Sequence, residues 1–228
     1  QAASGTSGGS SGSPVIDIQG HVLALNAGGA SGAASSFYLP LARVRRALKL
    51  IQEGKPVTRG TLETEFRYLP FDELQRLGLS SAVEAQVRSA EPGGTGMLVV
   101  ADVQPGSASD GVLEPGDVLV RVNGTLVTSF DPLEAVLDDS VGKNVGLTLS
   151  RGGRLYTANL KVADLDSITP AAYLEIGDAV VHTLSYEKAR AFHRPIRGAF
   201  VAASGYIFDA AGVPRGAIIT QVNSTPVA

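Results

Sequence analysis

The sequence predicts a mainly β fold with short helices. Its 228 residues include 27 glycines and 12 prolines, which break the chain into short segments. The apolar runs between these turn-forming residues are short, and short apolar runs bounded by turns are typical of β-strands. A composition that is 44% hydrophobic and 18% charged is also ordinary for a folded domain.

Composition and charge exclude several classes of site. The chain contains no cysteine, which rules out disulfides, thiolate metal ligands and cysteine nucleophiles. The formal net charge of −3 gives no electrostatic reason to expect a nucleic-acid partner. No apolar run approaches the ~20 residues of a membrane-spanning helix, so we expect no membrane partner either. The three histidines are widely spaced, so we expect no metal and no cofactor.

The first 54 residues combine a polar stretch with short strands and one helix. Residues 1–14 are rich in Gly and Ser, a composition typical of a linker or a cloning scar. Apolar runs on both sides of Gln19-Gly20 predict a β-hairpin, and residues 35–39 predict a further strand. Pro40 suits the first position of a helix, and Gly54 suits the position that ends it.

Residues 55–163 show the pattern of one mixed domain. Asn123-Gly124 lies between two apolar runs and predicts a two-residue hairpin turn, because both residues tolerate positive φ. Asp131, Pro132 and Glu134 have the spacing of a capping box, so we expect a helix to begin there. The other predicted elements are strands at 61–67, 97–103, 117–122, 144–149 and 155–160, and a short helix at 72–77.

The chain contains an internal repeat. Residues 113–127, LEPGDVLVRVNGTLV, align with residues 213–227, VPRGAIITQVNSTPV, at a constant offset of 100. This repeat predicts a second copy of the same domain in residues 164–228. The second copy stops before any counterpart of the helix predicted near 131–139, and the chain begins at Gln1 without a signal peptide. We therefore expect a piece of a longer protein.

The first copy resembles the PDZ domains of HtrA-type serine proteases. The resemblance rests on residues 103–109, VQPGSAS, and residues 111–124, GVLEPGDVLVRVNG. Upstream, residues 9–15, GSSGSPV, are similar to the nucleophile motif of that family, Gly-Asn-Ser-Gly-Gly-Pro-Leu. Residues 19–26 and 36–40 are similar to the strands that follow this motif.

These matches predict three segments. They are the C-terminal end of a trypsin-like β-barrel protease domain (1–54), a PDZ domain (55–163) and a truncated PDZ-like domain (164–228).

Within the family, the Gly- and Ser-rich run and the two successive PDZ-like units are most similar to the fungal nuclear, pro-apoptotic branch. The resemblance implies a serine endopeptidase as the whole protein, a location in the nucleus, and roles in apoptosis and protein quality control. Its substrates would be unfolded or peptide segments of proteins.

The resemblance makes Ser11 the catalytic nucleophile and assigns the oxyanion hole to the backbone N–H groups of Gly9 and Ser11. A serine attacks a peptide carbonyl only when a histidine accepts its proton and a carboxylate orients that histidine. In this fold both partners precede the serine, and only ten residues precede Ser11. We therefore predict that the chain alone is inactive. Ser10 and Ser13 replace Asn and Gly of the family motif.

The protease-like segment is expected to need a partner. It would supply only the last strands and the terminal helix of a two-barrel domain. A partial barrel exposes strand edges and apolar faces. We therefore expect residues 1–53 to be disordered, or to pair with the missing N-terminal protease segment or with another copy of the chain.

The resemblance also predicts a peptide-binding groove in the first PDZ domain. A PDZ domain binds a peptide by strand addition and holds its carboxylate with the amides of a loop. The corresponding tetrad is Thr61-Leu62-Glu63-Thr64, in which Glu63 replaces the family's glycine and weakens the case for carboxylate binding. In the second copy Tyr173-Leu174-Glu175-Ile176 carries the same change. The apolar residues that would line the first groove, or alternatively form the core, are Leu62, Phe66, Leu133, Val136 and Leu137.

Two other hypotheses remain open at this point. The chain could be a peptide-binding scaffold of two PDZ-like units with a vestigial protease segment. Alternatively, residues 1–14 could be a vector linker, although the match from Val15 to Pro40 argues against this. A family-like histidine and aspartate upstream in a longer protein would favour the protease over the scaffold.

Overall fold

The structure is a computed structural model that describes residues 9–30 and 35–227. The chain divides into two compact units, residues 1–57 and 58–228. We call these the N-terminal unit and the C-terminal unit. Within the described residues, none of the helices is long and apolar enough to span a membrane.

The N-terminal unit is an antiparallel sheet in the order β1-β2-β3, followed by one helix. Asp17 shapes the turn after β1, because its Oδ1 accepts hydrogen bonds from the amides of Gln19 (2.9 Å) and His21 (2.8 Å). Gly54, at φ 66°, ends the helix as predicted. The elements are β1 (Pro14–Ile16), β2 (Val22–Ala30), β3 (Ser35–Pro40) and α1 (Leu41–Gln52).

Apolar side chains of the N-terminal unit are largely exposed. Helix α1 buries none of its residues. Ile18 is 98% exposed and Ile51 is 64% exposed, and several other large apolar side chains of the sheet share this exposure. The described part of this unit therefore leaves apolar side chains open to solvent.

The C-terminal unit begins with a module that we define as residues 58–164, the first module. Its main sheet has the antiparallel order β10-β9-β7-β6-β5, with β8 paired to β7, and β4 pairs with β11. Its strands are β4 (Gly60–Thr61), β5 (Thr64–Pro70), β6 (Gly96–Val103), β7 (Val118–Val122), β8 (Thr125–Leu126), β9 (Asn144–Arg151), β10 (Arg154–Lys161) and β11 (Ala163–Asp164). Its helices are α2 (Phe71–Arg76), α3 (Ser81–Ala90) and α4 (Phe130–Asp138).

Two hydrophobic clusters hold the first module together. The larger cluster joins α4 to strands β6, β7, β9 and β10, and includes Leu98, Leu119 and Leu147. The smaller cluster packs α2 and α3 through Leu74 and Val87 against β6 and β7. The central strands contribute to both clusters because alternate side chains point to opposite faces of the sheet.

The helices of the first module differ from the sequence prediction in two places. Helix α3 was not predicted, although Ser80 caps it by accepting a hydrogen bond from the amide of Val83 (3.4 Å). The predicted capping box at Asp131 is wrong, because α4 begins at Phe130 with Ser129 as its N-cap. Pro132 is still tolerated in the first turn, where backbone N–H groups have no helical acceptor.

The second module, residues 165–227, has the antiparallel sheet order β12-β13-β14-β15 and a β16–β17 hairpin. A small cluster of Leu184, Ala189 and Phe200 forms its core. Its strands are β12 (Leu174–Ile176), β13 (Ala179–Thr183), β14 (Ala199–Ala203), β15 (Ile218–Ile219), β16 (Gln221–Val222) and β17 (Thr225–Pro226). Its helices are α5 (Tyr186–Ala191) and α6 (Gly205–Ala210).

Backbone hydrogen bonds reproduce the sequence repeat. In the first module Val100 accepts from Gly116 (2.8 Å) and donates to Asp117 (2.9 Å). In the second module Val201 makes the same two bonds, with Gly216 (2.8 Å) and Ala217 (2.9 Å). Asn123 and Asn223 both have φ 49° in the turns that follow. The two modules therefore share backbone geometry as well as sequence.

A buried carboxylate ties three strands of the first module together. Asp117 is 1% exposed and accepts hydrogen bonds from Arg151 Nε (2.7 Å), Arg151 Nη2 (2.8 Å), the Tyr156 hydroxyl (2.6 Å) and the Glu114 amide (2.8 Å). Burial by itself raises the pKa of Asp117, but the hydrogen bonds from Arg151, Tyr156 and Glu114 outweigh it and lower the pKa below its ordinary value.

Asp117→Asn is expected to lower the free energy of unfolding by about 2 kcal/mol at pH 7, because the Arg151 guanidinium loses a charged acceptor. The folded-state pKa of Asp117 lies below the unfolded-state value. The stabilisation is therefore complete above the unfolded pKa and is lost as pH falls through the folded pKa, below about 4. Urea unfolding at pH 7 and pH 3 measures this, with the exposed Asp209→Asn as control. An equal deficit at both pH values would contradict the role of the charge.

Candidate functional site

The predicted nucleophile lies in a tight turn. Residues 10–13 form a turn closed by a hydrogen bond from the Ser13 amide to the Ser10 carbonyl (3.2 Å). Gly12 has φ 84°, the conformation that the third residue of a type II turn requires. Ser11 is the second residue of this turn and its side chain is exposed. The geometry therefore presents Ser11 Oγ to solvent, as a nucleophile needs.

Asn26 on β2 holds this turn through hydrogen bonds of its side chain and its backbone. Its buried side chain donates from Nδ2 to the Ser10 carbonyl (3.0 Å) and to Ser10 Oγ (2.9 Å). Its backbone carbonyl accepts from the Gly12 amide (2.7 Å), and its amide donates to the Ser13 carbonyl (2.9 Å). The sequence prediction missed Asn26, whose only signal was a polar residue at the end of an apolar run.

No catalytic triad is assembled within the described residues. His21 Nδ1 lies 3.0 Å from Asp17 Oδ2, but both belong to the turn after β1, and neither is hydrogen-bonded to Ser11. The Asp17 pKa is lowered mainly by the hydrogen bond from the His21 amide. Of the predicted oxyanion-hole donors, Ser11 is the second residue of this turn, and Gly9 directly precedes the turn with φ 88°. Part of the predicted motif context, residues 1–8, lies outside the described residues.

The predicted carboxylate loop of the first module has an unusual backbone. Glu63 adopts φ 52°, the left-handed conformation that favours glycine, although it carries a side chain. Its amide donates to Thr61 Oγ1 (2.8 Å), and its carbonyl accepts from the Gln104 amide (2.9 Å). The buried Ser109 hydroxyl donates to the Leu62 carbonyl (2.7 Å). The loop is thus held in shape by internal hydrogen bonds, one of which uses the amide of Glu63.

The Glu63 side chain adds negative character to this loop. The side chain is half-buried, and burial raises the pKa of its carboxyl group above the ordinary value. A carboxyl group that is already partly desolvated is an unfavourable neighbour for a second carboxylate. The loop therefore places a half-buried carboxyl group at the position where the family motif has glycine.

The apolar residues predicted to line the groove separate into two groups. Leu62, Leu133 and Leu137 are buried in the larger hydrophobic cluster, so their role is in the core. Phe66 and Val136 are partly buried and pack against that cluster from its rim. Thr64 begins β5, the outermost strand of the sheet. Among the described residues β5 pairs only with β6, so its other edge is open.

The second module differs at the equivalent edge. Leu174–Ile176, predicted as part of a carboxylate loop, instead forms β12 and pairs with β13. The turn between these strands contains Gly177 at φ 52° and Asp178 at φ 59°, the geometry of a type I′ hairpin. The prediction for this segment is therefore wrong. In the second module Asp178 adopts the left-handed conformation just before β13, as Glu63 does just before β5 in the first module.

The two modules touch beside the loop of the first. Arg190 Nη1 lies 3.7 Å from Glu65 Oε2, and His193 Nδ1 lies 3.6 Å from Asp102 Oδ1. The buried Gln104 side chain donates to the Arg194 carbonyl. These contacts place the segment after α5 against the loop end of β5 and β6.

Comparison with known proteins agrees with this architecture. The family model described as a PDZ domain matches residues 76–162, and the model described as a PDZ-like domain matches residues 167–228. Protease Do-like 7 of Arabidopsis thaliana is 54% identical over 97% of this chain and 21% of its own length. Pro-apoptotic serine protease NMA111 of Ajellomyces capsulatus is 48% identical over 99% of this chain and 22% of its own length.

A solved structure, HtrA-type protease AlgW with decapeptide, aligns with 66% of this chain and 44% of its own at 20% identity and a TM-score of 0.42. The fold and the domain matches define a chain with two PDZ-type domains. Over nearly its whole length the chain is similar to proteins named as a Do-like protease and as a pro-apoptotic serine protease. It spans about a fifth of the length of the curated relatives that it matches.

Glu63→Gly is expected to raise the free energy of unfolding by about 1 kcal/mol, because glycine adopts the left-handed conformation without a Cβ penalty. Glu63→Ala removes the same carboxylate but keeps the Cβ, so it serves as the matched control. The measurement is the urea midpoint of each variant. Equal midpoints for the Gly and Ala variants would show that the backbone at Glu63 carries no strain.

Proposed function

We propose that this chain is the nucleophile-bearing and PDZ-bearing segment of an HtrA-like serine endopeptidase. The observation that carries the proposal is identity of 48–54%, over nearly the whole chain, to proteins named as serine proteases. The turn around Ser11 supports it, because four hydrogen bonds to Asn26 brace that turn. Such preorganisation is what a nucleophile requires.

In this proposal Ser11 Oγ attacks the carbonyl carbon of the scissile peptide bond. A histidine from outside the described residues accepts the hydroxyl proton and passes it to the leaving amine, leaving an acyl-serine ester. Water then hydrolyses that ester and regenerates Ser11. The amides of Gly9 and Ser11 donate hydrogen bonds to the oxyanion that forms in each step. Because the histidine and its carboxylate partner come from elsewhere, residues 1–228 by themselves are inactive.

The first module supplies a binding site for extended protein segments. Its β5 edge has backbone groups that an added strand can pair with, and Phe66 and Val136 offer apolar contacts beside that edge. The proposed substrates are unfolded or peptide segments of other proteins. Pro-apoptotic proteolysis is proposed because relatives are named pro-apoptotic serine proteases. Protein quality control and nuclear location are proposed from the family resemblance of the sequence alone.

The N-terminal unit is proposed to pair with the N-terminal part of the protease domain or with a second copy of the chain. The observation that favours pairing is the exposure of its apolar side chains, including Leu48 and Ile51 on α1, a helix that buries none of its residues. Burying such surface is worth about 25 cal/mol per Å². Either partner would cover these faces and complete the sheet.

A peptide-binding scaffold is the second candidate function. Two observations favour it. The β5 edge is open for an added strand, and within the described residues no histidine is hydrogen-bonded to Ser11. In that case the protease-like segment would have no catalytic role.

Labelling with a fluorophosphonate probe separates the two functions. We expect no label on the 228-residue chain, and label on Ser11 in the longer protein that contains it. Ser11→Ala should abolish this label and lower proteolysis of an unfolded protein by about a million-fold. Ser89→Ala, on the exposed face of α3, is the control and should label normally. A correctly folded longer protein that never labels at Ser11 would contradict the protease and support the scaffold.

A further inference from the structure

Strand β5 of the first module and strand β13 of the second module are equivalent. Strand β5 pairs with β6 and carries a bulge between Glu65 and Phe66. Strand β13 pairs with β14 and carries a bulge between Val180 and Val181. The partners of these bulges, Val100 and Val201, make the same pair of hydrogen bonds to the following strand. The bulges therefore align Glu65 with Val180 and Phe66 with Val181.

Strand β12 shows how an extended segment pairs with this type of edge. It runs antiparallel to β13, with Leu174 opposite Val181 and Glu175 opposite Val180. β12 is the outermost strand of the second sheet. It occupies the edge of β13 that corresponds to the open edge of β5. The second module thus displays, within one chain, a strand paired with the edge that β5 leaves open in the first module.

We propose that the first module selects an extended, uninterrupted segment in which an apolar residue is followed by a basic residue, and that Glu65 is the specificity-determining residue. This proposal rests on the proposed function, because it requires that the first module bind an added strand. In the register of β12, the apolar residue lies opposite Phe66 and the basic residue lies opposite Glu65.

Charge determines the residue opposite Glu65. Directly opposed side chains in an antiparallel pair share one face of the sheet, with Cβ atoms about 5 Å apart. In β12 a glutamate faces the uncharged Val180, which costs nothing electrostatically. The same glutamate opposite Glu65 would be repelled, whereas lysine or arginine would be attracted. The Arg190 guanidinium lies 3.7 Å from the Glu65 carboxylate, so a ligand cation would share this carboxylate with Arg190.

The residue opposite Phe66 is apolar for a different reason. Phe66 packs against the larger hydrophobic cluster, so its face of the sheet is the apolar one. In the second module Leu174 lies opposite Val181, and Val181 is 8% exposed. An apolar ligand side chain at this position extends the existing core, while a charged one would be desolvated without a partner.

The end of the ligand near Glu63 also distinguishes this site. Beyond Ile176 the chain of the second module continues through the Gly177-Asp178 turn and does not stop. The corresponding position in the first module adjoins Glu63, whose half-buried carboxyl group disfavours a second carboxylate. The segment taken by the first module therefore continues past this point and does not end there in a free carboxylate.

The test uses two peptides that copy residues 171–178, with both ends blocked. One keeps the native glutamate and the other carries Glu175→Lys. Fluorescence anisotropy with the full 228-residue chain measures both affinities, and NMR shift changes locate the bound peptide. We expect the lysine peptide to bind at least about fivefold more tightly than the glutamate peptide, with shifts in β5.

Variants of the chain assign the preference to Glu65. Glu65→Lys should reverse the preference, and the milder Glu65→Gln should reduce it to near unity. Asp209→Lys changes the net charge equally at an exposed site on α6 and should leave the preference unchanged.

The outcomes separate the two proposals. If neither peptide binds, both the strand-binding function and the present inference fail. If both peptides bind on β5 with equal affinity, or if the preference survives Glu65→Lys, the binding function stands and the role of Glu65 is overturned. Shifts confined to β12 and β13 would show that the peptides displace β12, and would also overturn the inference.

Discussion

The unpaired backbone of an edge strand is the constraint on which the functional design of the C-terminal unit depends. Every strand at the end of a sheet presents N–H and C=O groups that must find partners in water, in another strand or in a ligand. In the first module β5 leaves these groups open. In the second module β12 satisfies the corresponding groups of β13. Two copies of one fold thus differ at the edge where we propose that strand addition takes place.

A short turn accounts for this difference. In the second module Gly177 and Asp178 adopt the left-handed conformation and fold the preceding segment back onto β13. In the first module Glu63 adopts this conformation alone, and the preceding residues pair with β11 through β4 instead. The Glu63 loop is then fixed by Thr61, Gln104 and Ser109, which leaves β5 as the last strand.

The modules also differ in their interior. Asp117 joins Arg151 and Tyr156 in a buried network, whereas the second module has Ala217 at the matching position. The conserved part of the repeat is therefore the backbone geometry of its turns. The first module adds an ionic contact between β7, β9 and β10 to that geometry.

Much of the fold could be predicted from local sequence signals. The Asn123-Gly124 turn is a short-range pattern with a direct conformational cause, and the repeat can be read directly from the sequence. The structure has both. Helix α3 escaped prediction because its apolar face is narrow, with only Val83 and Val87 buried. The start of α4 was misplaced because Ser129 and Asp131 are both suitable caps.

The candidate site was less predictable, because long-range pairing determines it. The position of Ser11 in a glycine-flanked turn followed from the motif. Its anchor Asn26 is distant in sequence, and no spacing rule connects the two. The pairing of β12 with β13 likewise depends on which strand is free at the sheet edge, and this is a property of the assembled sheet.

Amide hydrogen exchange followed by NMR tests the difference between the two edges most directly. The account predicts protection of consecutive amides in Ala179, Val180 and Val181, since β13 is paired on both sides there. It predicts protection of only alternate amides along β5, whose outer edge faces solvent. Alternating protection in both strands would show that β12 does not occupy the β13 edge, and would contradict the account.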